Sequence, residues 1–476
     1  MRYILLLLLL IPFISFGQLA FPTAKGFGRA TTGGAGGIIL HVTNLNDSGT
    51  GSLRAAIDRN VARTIVFDVG GDILLTGNHY GIYASQGEGD LTIAGETAPF
   101  PGITIRGDNI AASSYGGTFD ISASNIIIRY ISVRENNNNR TDNDAIRIRN
   151  DAGMTNIILD HVSMSHGADE NLSTKGITNG TIQNCMLTNS DTSYNFLFGQ
   201  ENYNFSFLEN YLSHTDQRNI LVGYGKLLES SEWINNVIYG HKEGMYLVYG
   251  NVVDVIGNVY KAFPALVPNF ASIQWSANQY NNPNALVTDG SFYVENNYLL
   301  NPQGRNLYNG NIGTYGENTR QITNSVVTSW ETTRVGIENR VFSANVGNSL
   351  HRDDMDIQAI ADYTSGAGNW SGPNVPNKTL FIRPVADDAD TDDMLDYVEQ
   401  SLWGSNGTTN APNGFTNTDW VSRVDGSNLN AFTNIRKTHF WLAGDLMLAN
   451  DPGNPVGDVC CTISNSRASN SALMNN

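Results

Sequence analysis

The chain has few charged residues for its length and few segments that favour helices. Charged residues make up 15% of its 476 residues, and runs of Ala, Glu, Lys and Leu are scarce. Gly, present 48 times, and Asn are abundant instead. Because Gly and Asn favour turns while helix formers are under-represented, the composition indicates strands joined by turns and a mainly β fold.

Cysteine and positive charge are also scarce. The three cysteines, Cys185 and the adjacent Cys460 and Cys461, are too few for a disulfide framework or a cysteine metal site. Lys and Arg number 28 against 45 Asp and Glu, which gives a formal net charge of −17. This balance argues against nucleic acid as a partner. It also means that an acidic substrate needs a local cationic site or a bridging metal.

Long apolar runs are absent after the first residues. Arg2 is followed by an apolar run, residues 4–16, that stops at Gly17 and Gln18, as a secretory signal does. The run is too short for a comfortable membrane span of about 20 residues. We therefore predict a signal peptide at residues 1–17 and a secreted protein, periplasmic or extracellular, without a membrane span. We also expect a monomer.

A short motif recurs between residues 128 and 259. In each copy an apolar residue is followed two positions later by a polar ring or amide and then by another apolar residue. The copies are Ile128/Tyr130/Ile131, Leu159/His161/Val162, Ile182/Asn184/Cys185, Leu208/Asn210/Tyr211, Ile234/Asn236/Val237 and Ile256/Asn258/Val259. They follow one another after 31, 23, 26, 26 and 22 residues. One strand-like motif in each such period is typical of a solenoid in which every repeat forms one coil.

Stacked coils explain why the middle position is so often asparagine. Coils of a β solenoid lie about 4.8 Å apart, so an amide side chain can donate to one neighbour and accept from the next. We predict one such ladder, formed by Asn184, Asn210, Asn236 and Asn258. Cys185 is expected to be a buried small hydrophobe in the apolar column between Val162 and Tyr211.

The repeat weakens towards the C-terminus. Pro264, Pro268 and the polar residues 278–284 predict a projecting loop before a further match at Asn297 and Tyr298, and the pattern fades after about Val327. We assign residues 18–340 to the solenoid. Residues 341–476 are predicted to be a capping or wrapping segment of the same domain with a disordered tail, since the end of a solenoid must cover its open edge.

Several motifs, in one order along the chain, carry a family resemblance. They are AFP at 20–22, GFG at 26–28, VTNLNDSG at 42–49, GSLR at 51–54, TIAGETAP at 92–99 and DHVSMS at 160–165. Over roughly residues 20 to 260 the sequence resembles pectate lyases of polysaccharide lyase family 1, in their Bacteroidetes form. The resemblance implies an all-β, right-handed parallel β-helix that cleaves a uronate-containing, pectin-like polymer by β-elimination.

The same resemblance assigns the candidate catalytic and substrate-binding residues. Arg218, in the segment HTDQRN at 214–219, matches the base that removes the C5 proton of the uronate. His214 and Tyr194 are assigned to substrate binding. Counting along the coils adds an observation independent of the family: Glu170 lies nine residues after His161, and Arg218 lies eight after Asn210. Glu170 and Arg218 are therefore expected to face one groove, two coils or about 10 Å apart.

The resemblance also implies Ca²⁺ as a cofactor. Asp144 and Glu170 match two of the family's calcium ligands, and carboxylate oxygens suit this hard cation. A third ligand position is occupied by the imidazole of His166. Asp169 is therefore the candidate for the missing carboxylate.

The chain departs from the family pattern at two cations. Ile220, Leu221 and Val222 follow Arg218, where family members carry a proline and a second arginine, and the family's Gly-Lys-Gly segment is absent. An acidic protein with fewer cations has a weaker grip on a fully charged polymer. We therefore expect unsubstituted polygalacturonate to be a poor substrate and a methylated, branched or mixed uronate polymer to be preferred.

Other interpretations stay open on the sequence alone. Arg218 can be a surface side chain paired with Asp216, and Phe196 and Phe198 are expected in the core rather than stacked on sugar. The lost cations favour a non-catalytic glycan-binding or surface β-helix as the main alternative. A second alternative is a lyase that acts on another acidic polysaccharide. A glycoside hydrolase needs paired carboxylates, and the Asp-Asp and Gly-His-Gly motifs of polygalacturonases are not found.

Overall fold

The computed structural model describes residues 19–368, apart from 112–115, 137–142, 193, 216, 224–228, 249, 263–270, 277–289, 303, 311, 313–316 and 344–345, together with residues 381–382. The predicted signal peptide, the projecting loop with Pro264 and Pro268, Asp216, and the tail with Cys460 and Cys461 lie outside these residues. No helix in the described ranges is long and apolar enough to cross a membrane.

The described residues form short strands with few helices. The strands, in chain order, are β1 (Ile38–Val42), β2 (Arg63–Phe67), β3 (Val69–Gly77), β4 (Tyr80–Ile82), β5 (Leu91–Ala94), β6 (Ile103–Ile110), β7 (Phe119–Ile121), β8 (Ile126–Arg129), β9 (Ile131–Arg134), β10 (Ile146–Asp160), β11 (Ser163–Ser165), β12 (Leu172–Gln183), β13 (Met186–Thr188), β14 (Phe196–Phe198), β15 (Tyr203–Leu208), β16 (Tyr211–Ser213), β17 (Ile220–Val222), β18 (Glu229–Ile234), β19 (Val237–Tyr239), β20 (Met245–Val248), β21 (Asn251–Ile256), β22 (Val259–Lys261), β23 (Ile273–Ser276), β24 (Ser291–Glu295), β25 (Tyr298–Leu300) and β26 (Phe381–Ile382). The α-helices are α1 (Leu53–Ile57), α2 (Arg334–Ser343) and α3 (Asp354–Ser365), and short 3₁₀ helices span Phe27–Ala30, Ala84–Gln86, Gly95–Thr97 and Ser349–His351.

Strands from successive coils stack in parallel and form three faces. The site face contains β4, β7, β14, β17, β20, β23 and the first parts of β10 and β12. The second face contains β1, β2, β5, β8, β15, β18, β21, β24 and the second parts of β10 and β12. The third face contains β3, β6, β9, β11, β13, β16, β19, β22 and β25. Because each coil passes through the three faces in turn, the predicted parallel β-helix is confirmed.

Side chains that point into the coils form one continuous core. Phe196 and Phe198 of β14 pack against Phe207 of β15 and Trp233 of β18, with ring centroids 5.0 to 5.6 Å apart. All four rings are buried, and full burial of one large apolar side chain stabilises the fold by about 1.5–3 kcal/mol. The prediction that Phe196 and Phe198 belong to the core is confirmed.

An asparagine ladder runs along the turn between the second and third faces. Asn210 Nδ2 donates to Asn236 Oδ1 at 3.1 Å, Asn236 donates to Asn258 at 2.9 Å, and Asn258 donates to Asn297 at 3.0 Å. Their buried amides also bond to backbone groups of neighbouring coils. Each buried polar group therefore has a partner, and the ladder sets the spacing of the coils at this turn.

Asn184 does not belong to this ladder, and the prediction that placed it there is wrong. Cys185 takes the equivalent position, because its backbone N–H donates to Asn210 Oδ1 at 2.8 Å. Asn184 Nδ2 donates instead to Asp160 Oδ1 at 3.2 Å. Cys185 is a buried free cysteine, as predicted, but its neighbour on the next coil is Asn210 and not Tyr211.

The error came from an apolar residue that points out of the coil. The sequence motif aligned Leu208 with the core residue Ile182, whereas Ile182 pairs with Phe207. Leu208 packs in a separate apolar cluster with Val327 and Trp330 outside the second face. Val327 and Trp330, more than 100 residues further along the chain, cover the outward-pointing side chain of Leu208. This outward position is therefore apolar, and the sequence motif took Leu208 for the core residue, one position too far along the chain.

Helix α3 covers part of the third face and is tied to it by a buried ion cluster. Arg134 at the end of β9 is completely buried, and its Nη2 lies 2.9 Å from Asp353 Oδ2 and 2.8 Å from Asp356 Oδ1. Arg134 Nη1 donates to Ser165 Oγ at 3.1 Å. Asp353 also caps α3 by accepting from the backbone N–H of Asp356. One cluster therefore both starts the helix and fixes it to the β-helix.

Replacing Arg134 by methionine should lower the free energy of unfolding by about 3–5 kcal/mol. The variant leaves the buried carboxylates of Asp353 and Asp356 without their cation, and an uncompensated buried charge is costly. Chemical denaturation measures the change, with the exposed Arg59→Met as control. An Arg134 variant as stable as the control would show that the ion cluster does not hold α3.

Candidate active site

Four candidate residues form a column at one edge of the site face. Asp144, Glu170, Tyr194 and Arg218 each lie two residues before a strand, β10, β12, β14 and β17 respectively. These strands pair in register, so the four residues occupy the same place in successive coils. Coils lie about 4.8 Å apart, which puts Glu170 and Arg218 about 10 Å apart along the axis. Glu170 and Arg218 are thus on one face, two coils apart, as expected from their spacing.

A second asparagine ladder, which the sequence analysis missed, fixes this column. Asn171 Nδ2 donates to Asn195 Oδ1 at 2.8 Å, and Asn195 Nδ2 donates to Asn219 Oδ1 at 3.4 Å. All three are completely buried, and each directly follows a column residue. Their regular spacing of 24 residues was the available signal. The ladder holds the turns from which Glu170, Tyr194 and Arg218 project.

Three carboxyl groups meet at the N-terminal end of the column. Ligand oxygens of Asp144, Asp169 and Glu170 lie within 4.8 Å of one another. Asp144 and Glu170 are buried, and Asp169 is half-buried. The backbone N–H of Glu170 donates to Asp144 Oδ1 at 3.1 Å, and Ser173 Oγ donates to Asp144 Oδ2. We call these three residues the carboxyl cluster.

Burial and mutual repulsion shift the titration of this cluster. Burial raises the pKa of Asp144 to about 7, although the hydrogen bond from Ser173 opposes the shift. Burial and the charges of Asp144 and Asp169 raise the pKa of Glu170 to about 10, while the charge of Arg218 opposes the shift. The ion-free cluster therefore retains protons, because the protein supplies too little positive charge to stabilise the carboxylates together. A cation that replaces those protons would supply the missing charge, and crowded oxygen donors suit a hard cation such as Ca²⁺.

Arg218 is held in place by the ring of Tyr194. Its guanidinium carbon lies 4.1 Å from the ring centroid, a cation–π contact worth about 0.5–2 kcal/mol. The backbone of Arg218 has a left-handed φ of 46°, and its carbonyl accepts from the Asn195 N–H at 3.1 Å. Both side chains are half-buried and reach the surface. Tyr194, predicted to bind substrate, thus also supports the candidate base.

The structure does not bring His166 into the carboxyl cluster. His166 Nδ1 lies 2.5 Å from Asp191 Oδ1, and its φ of 58° places it at a left-handed turn after β11. The side chain is buried. Asp169, and not His166, stands next to Asp144 and Glu170.

His214 lies beneath α3, and this placement contradicts its predicted role in substrate binding. Its Nε2 is 3.1 Å from Asp362 Oδ2, and the side chain is 2% exposed. Burial lowers the pKa of His214 to about 4, while Asp362 opposes the shift. Gly368 also packs on the ring, since a Cβ at that residue would come within 2.6 Å of Nε2. A polymer on the surface does not reach this imidazole.

Arg147 is a further charged residue near the cluster that the sequence analysis did not select. Its positive charge opposes the rise that burial causes in the pKa of Asp144, and its guanidinium binds Asp120 through two contacts of 3.0 and 2.8 Å. Ile146 and Ile148 on either side are buried. The alternation Ile-Arg-Ile-Arg in β10 was a signal that these arginines point outward from the site face.

Comparisons with known proteins bear on this arrangement. The chain is 36% identical over 248 residues to a probable pectate lyase C of Aspergillus oryzae, a match that spans 51% of this chain and about half, 54%, of the relative. It is 30% identical over 431 residues to a probable pectate lyase C of Neosartorya fischeri, which spans 84% of this chain and 92% of the relative. The chain belongs to the pectate lyase family. The resemblance identified from the sequence motifs is thereby confirmed, whereas its Bacteroidetes form stays a prediction.

Two further comparisons complete these findings. No family model matches the chain. A solved structure of a variant of Bacillus subtilis pectate lyase is 14% identical, with a TM-score of 0.49, and the match covers 71% of this chain and 100% of that one.

Proposed function

We propose that this member of the pectate lyase family is a secreted enzyme that cleaves a uronate-containing, pectin-like polysaccharide by β-elimination, with Ca²⁺ as its cofactor. One observation carries the proposal: Glu170 of the carboxyl cluster and Arg218 lie two coils apart in a single column on the site face. A cation site beside a candidate base is what elimination next to a carboxylate requires.

The reaction breaks two bonds of the polymer. The base removes the proton on C5, the electron pair of that C–H bond forms the C4–C5 double bond, and the C4–O bond breaks as the leaving oxygen takes up a proton from water. Arg218 is the candidate base, with a guanidine nitrogen as the acceptor. A guanidinium ordinarily stays protonated, so this role is assigned from the family resemblance. The ring of Tyr194 holds the guanidine group in position during the proton transfer.

The carboxyl cluster prepares the site for an acidic substrate. Asp144, Asp169 and Glu170 would hold the calcium ion, which would neutralise charge on the substrate carboxylate and supply Lewis-acid stabilisation of the charge that develops there. Ser173 and the backbone N–H of Glu170 orient Asp144. A protein with a net charge of −17 needs such local compensation before it can bind a polyanion.

The direct test incubates the purified protein with a panel of uronate polymers and follows the ultraviolet absorbance of the unsaturated product. Absorbance that rises with polymer cleavage supports elimination. New reducing ends without this absorbance would indicate hydrolysis. Binding without cleavage would indicate the non-catalytic glycan-binding alternative. A marine or other uronate polymer as the best substrate would favour the second alternative, a lyase on another acidic polysaccharide.

We predict a higher kcat/KM on methylated or mixed uronate polymers than on demethylated homopolymer. The chain lacks the second arginine and the lysine of the family pattern. Charge-assisted contacts contribute about 1.5 to 3 kcal/mol each where desolvated, so their loss should weaken binding of the fully charged polymer by about tenfold or more. Steady-state kinetics on pectins of graded methylation measures the ratio. Fastest turnover on the demethylated homopolymer contradicts the prediction.

A further inference from the structure

We infer that a cleft at the far edge of the site face is a second binding site for the polysaccharide, which takes a uronate carboxylate several sugar residues away from the cleaved bond. The inference rests on the proposed function and extends it. We call this the distal cleft. It has a volume of about 270 Å³ and is lined by Tyr83, Asp120, Ile121, Ser122, Arg147, Arg149, Asn150 and Asp151.

The distal cleft and the catalytic column share one face of the β-helix. Arg147 and Arg149 belong to β10, three and five residues after Asp144. Arg218 lies three coils further along the axis. With coils about 4.8 Å apart and a rise of about 3.3 Å per residue, Arg149 and Arg218 are about 20 Å apart. A polymer lying across the site face can reach both places, whereas a short oligomer bound at Arg218 cannot.

Two arginines line the distal cleft and a lysine lies beside it, although the protein is acidic overall. Arg147 is held by Asp120 in a two-contact ion pair. Arg149 and Lys175, by contrast, share a single carboxylate, that of Asp151. Arg149 Nε lies 3.4 Å and Lys175 Nζ lies 2.7 Å from the same Oδ1. The lining of the cleft thus holds two arginines and two aspartates, and Lys175 beside it adds a third cation.

Asp151 is a partner that a substrate carboxylate can replace. Its side chain is 68% exposed and that of Arg149 is 48% exposed. Exposed ion pairs contribute little to stability, so exchanging Asp151 for a carboxylate of the polymer costs little. Arg149 can then bind that carboxylate with two parallel hydrogen bonds. The ring of Tyr83, whose hydroxyl is 2.7 Å from His79 Nε2, gives the cleft a wall suited to a sugar face.

The test compares substrates of different length in a paired variant. Arg149→Ala combined with Lys175→Ala should raise KM for long oligouronates about tenfold. The increase should be absent for trisaccharides, which do not span the distance. Arg29→Ala combined with Arg59→Ala removes the same charge elsewhere and serves as control. Asp151→Asn removes the competing carboxylate and should lower KM for the long substrates.

Binding separates this inference from the proposed function. Calorimetry of a long oligouronate with the Arg218→Lys protein, with and without the paired substitution, measures the distal contribution in the absence of turnover. Weaker binding of the paired variant supports the distal site even if no polymer is cleaved. Unchanged binding, or an equal rise in KM on short and long substrates, would overturn it. Failure of the proposed function has a different signature, since the unaltered protein would then give no unsaturated product on any polymer.

Discussion

Replacing Arg218 by lysine should lower kcat/KM for elimination by about 100- to 10,000-fold, the contribution expected of a positioned general base. Lysine keeps the positive charge but loses the planar guanidine group that stacks on Tyr194 at 4.1 Å. Its ammonium is a compact point charge that hydrates strongly, so it does not present a nitrogen to C5 at the same place. The absorbance assay on the best polymer of the panel measures the loss.

The Arg218 variant should stay folded. Its backbone carbonyl keeps the hydrogen bond from Asn195, and the neighbouring Asn219 stays in the buried ladder. Circular dichroism and Tm should therefore match the unaltered protein, with Arg59→Lys as a matched control at an exposed position. A folded Arg218→Lys variant that keeps most of the activity would show that Arg218 is not the base.

The repeat and the column of site residues could be recognised in the sequence, because both depend on the spacing of residues along the chain. Glu170 and Arg218 could be placed two coils apart because they follow the repeat positions His161 and Asn210 by nine and eight residues. Asp169 could be proposed beside Asp144 and Glu170 because it adjoins Glu170 in the chain. Family resemblance supplied the chemical roles, which spacing alone does not contain.

Features that depend on distant segments could not be predicted in this way. His214 is buried because α3, about 150 residues later in the chain, lies over the third face and brings Asp362 to its ring. Leu208 is apolar because residues near Trp330 cover it. The residue pattern of a coil does not indicate which of its outward-pointing positions a later segment of the chain covers. The one-residue error at Asn184 and the substrate role given to His214 share this cause.

Removing calcium should lower activity by about 100-fold or more, since a bound metal ion supplies several kcal/mol of charge stabilisation. Chelation followed by readdition of Ca²⁺ tests this on polymer turnover. Asp144→Asn combined with Glu170→Gln should reproduce the loss without chelator, because amides bind calcium less well than carboxylates. Glu317→Gln combined with Asp354→Asn, two exposed positions outside the carboxyl cluster and the distal cleft, is the charge-matched control for calcium binding. Full activity after rigorous chelation would assign the cationic role to protein side chains instead.

Calcium should also stabilise the fold, and more so as the pH rises. Folding raises the pKa of Asp144 from 3.8 to about 7 and that of Glu170 from 4.5 to about 10. The metal-free folded state thus keeps protons that the unfolded chain releases above pH 4 to 5, so stability falls as the pH rises through the folded pKa values. Calcium binding requires those protons to leave, so apparent calcium affinity should increase over the same range.

Thermal unfolding at several pH values measures both trends. The increase in Tm on adding Ca²⁺ should grow from mildly acidic to alkaline pH, and this growth should disappear in the Asp144→Asn, Glu170→Gln protein. A calcium-induced Tm shift that is independent of pH would place the ion away from these carboxyl groups.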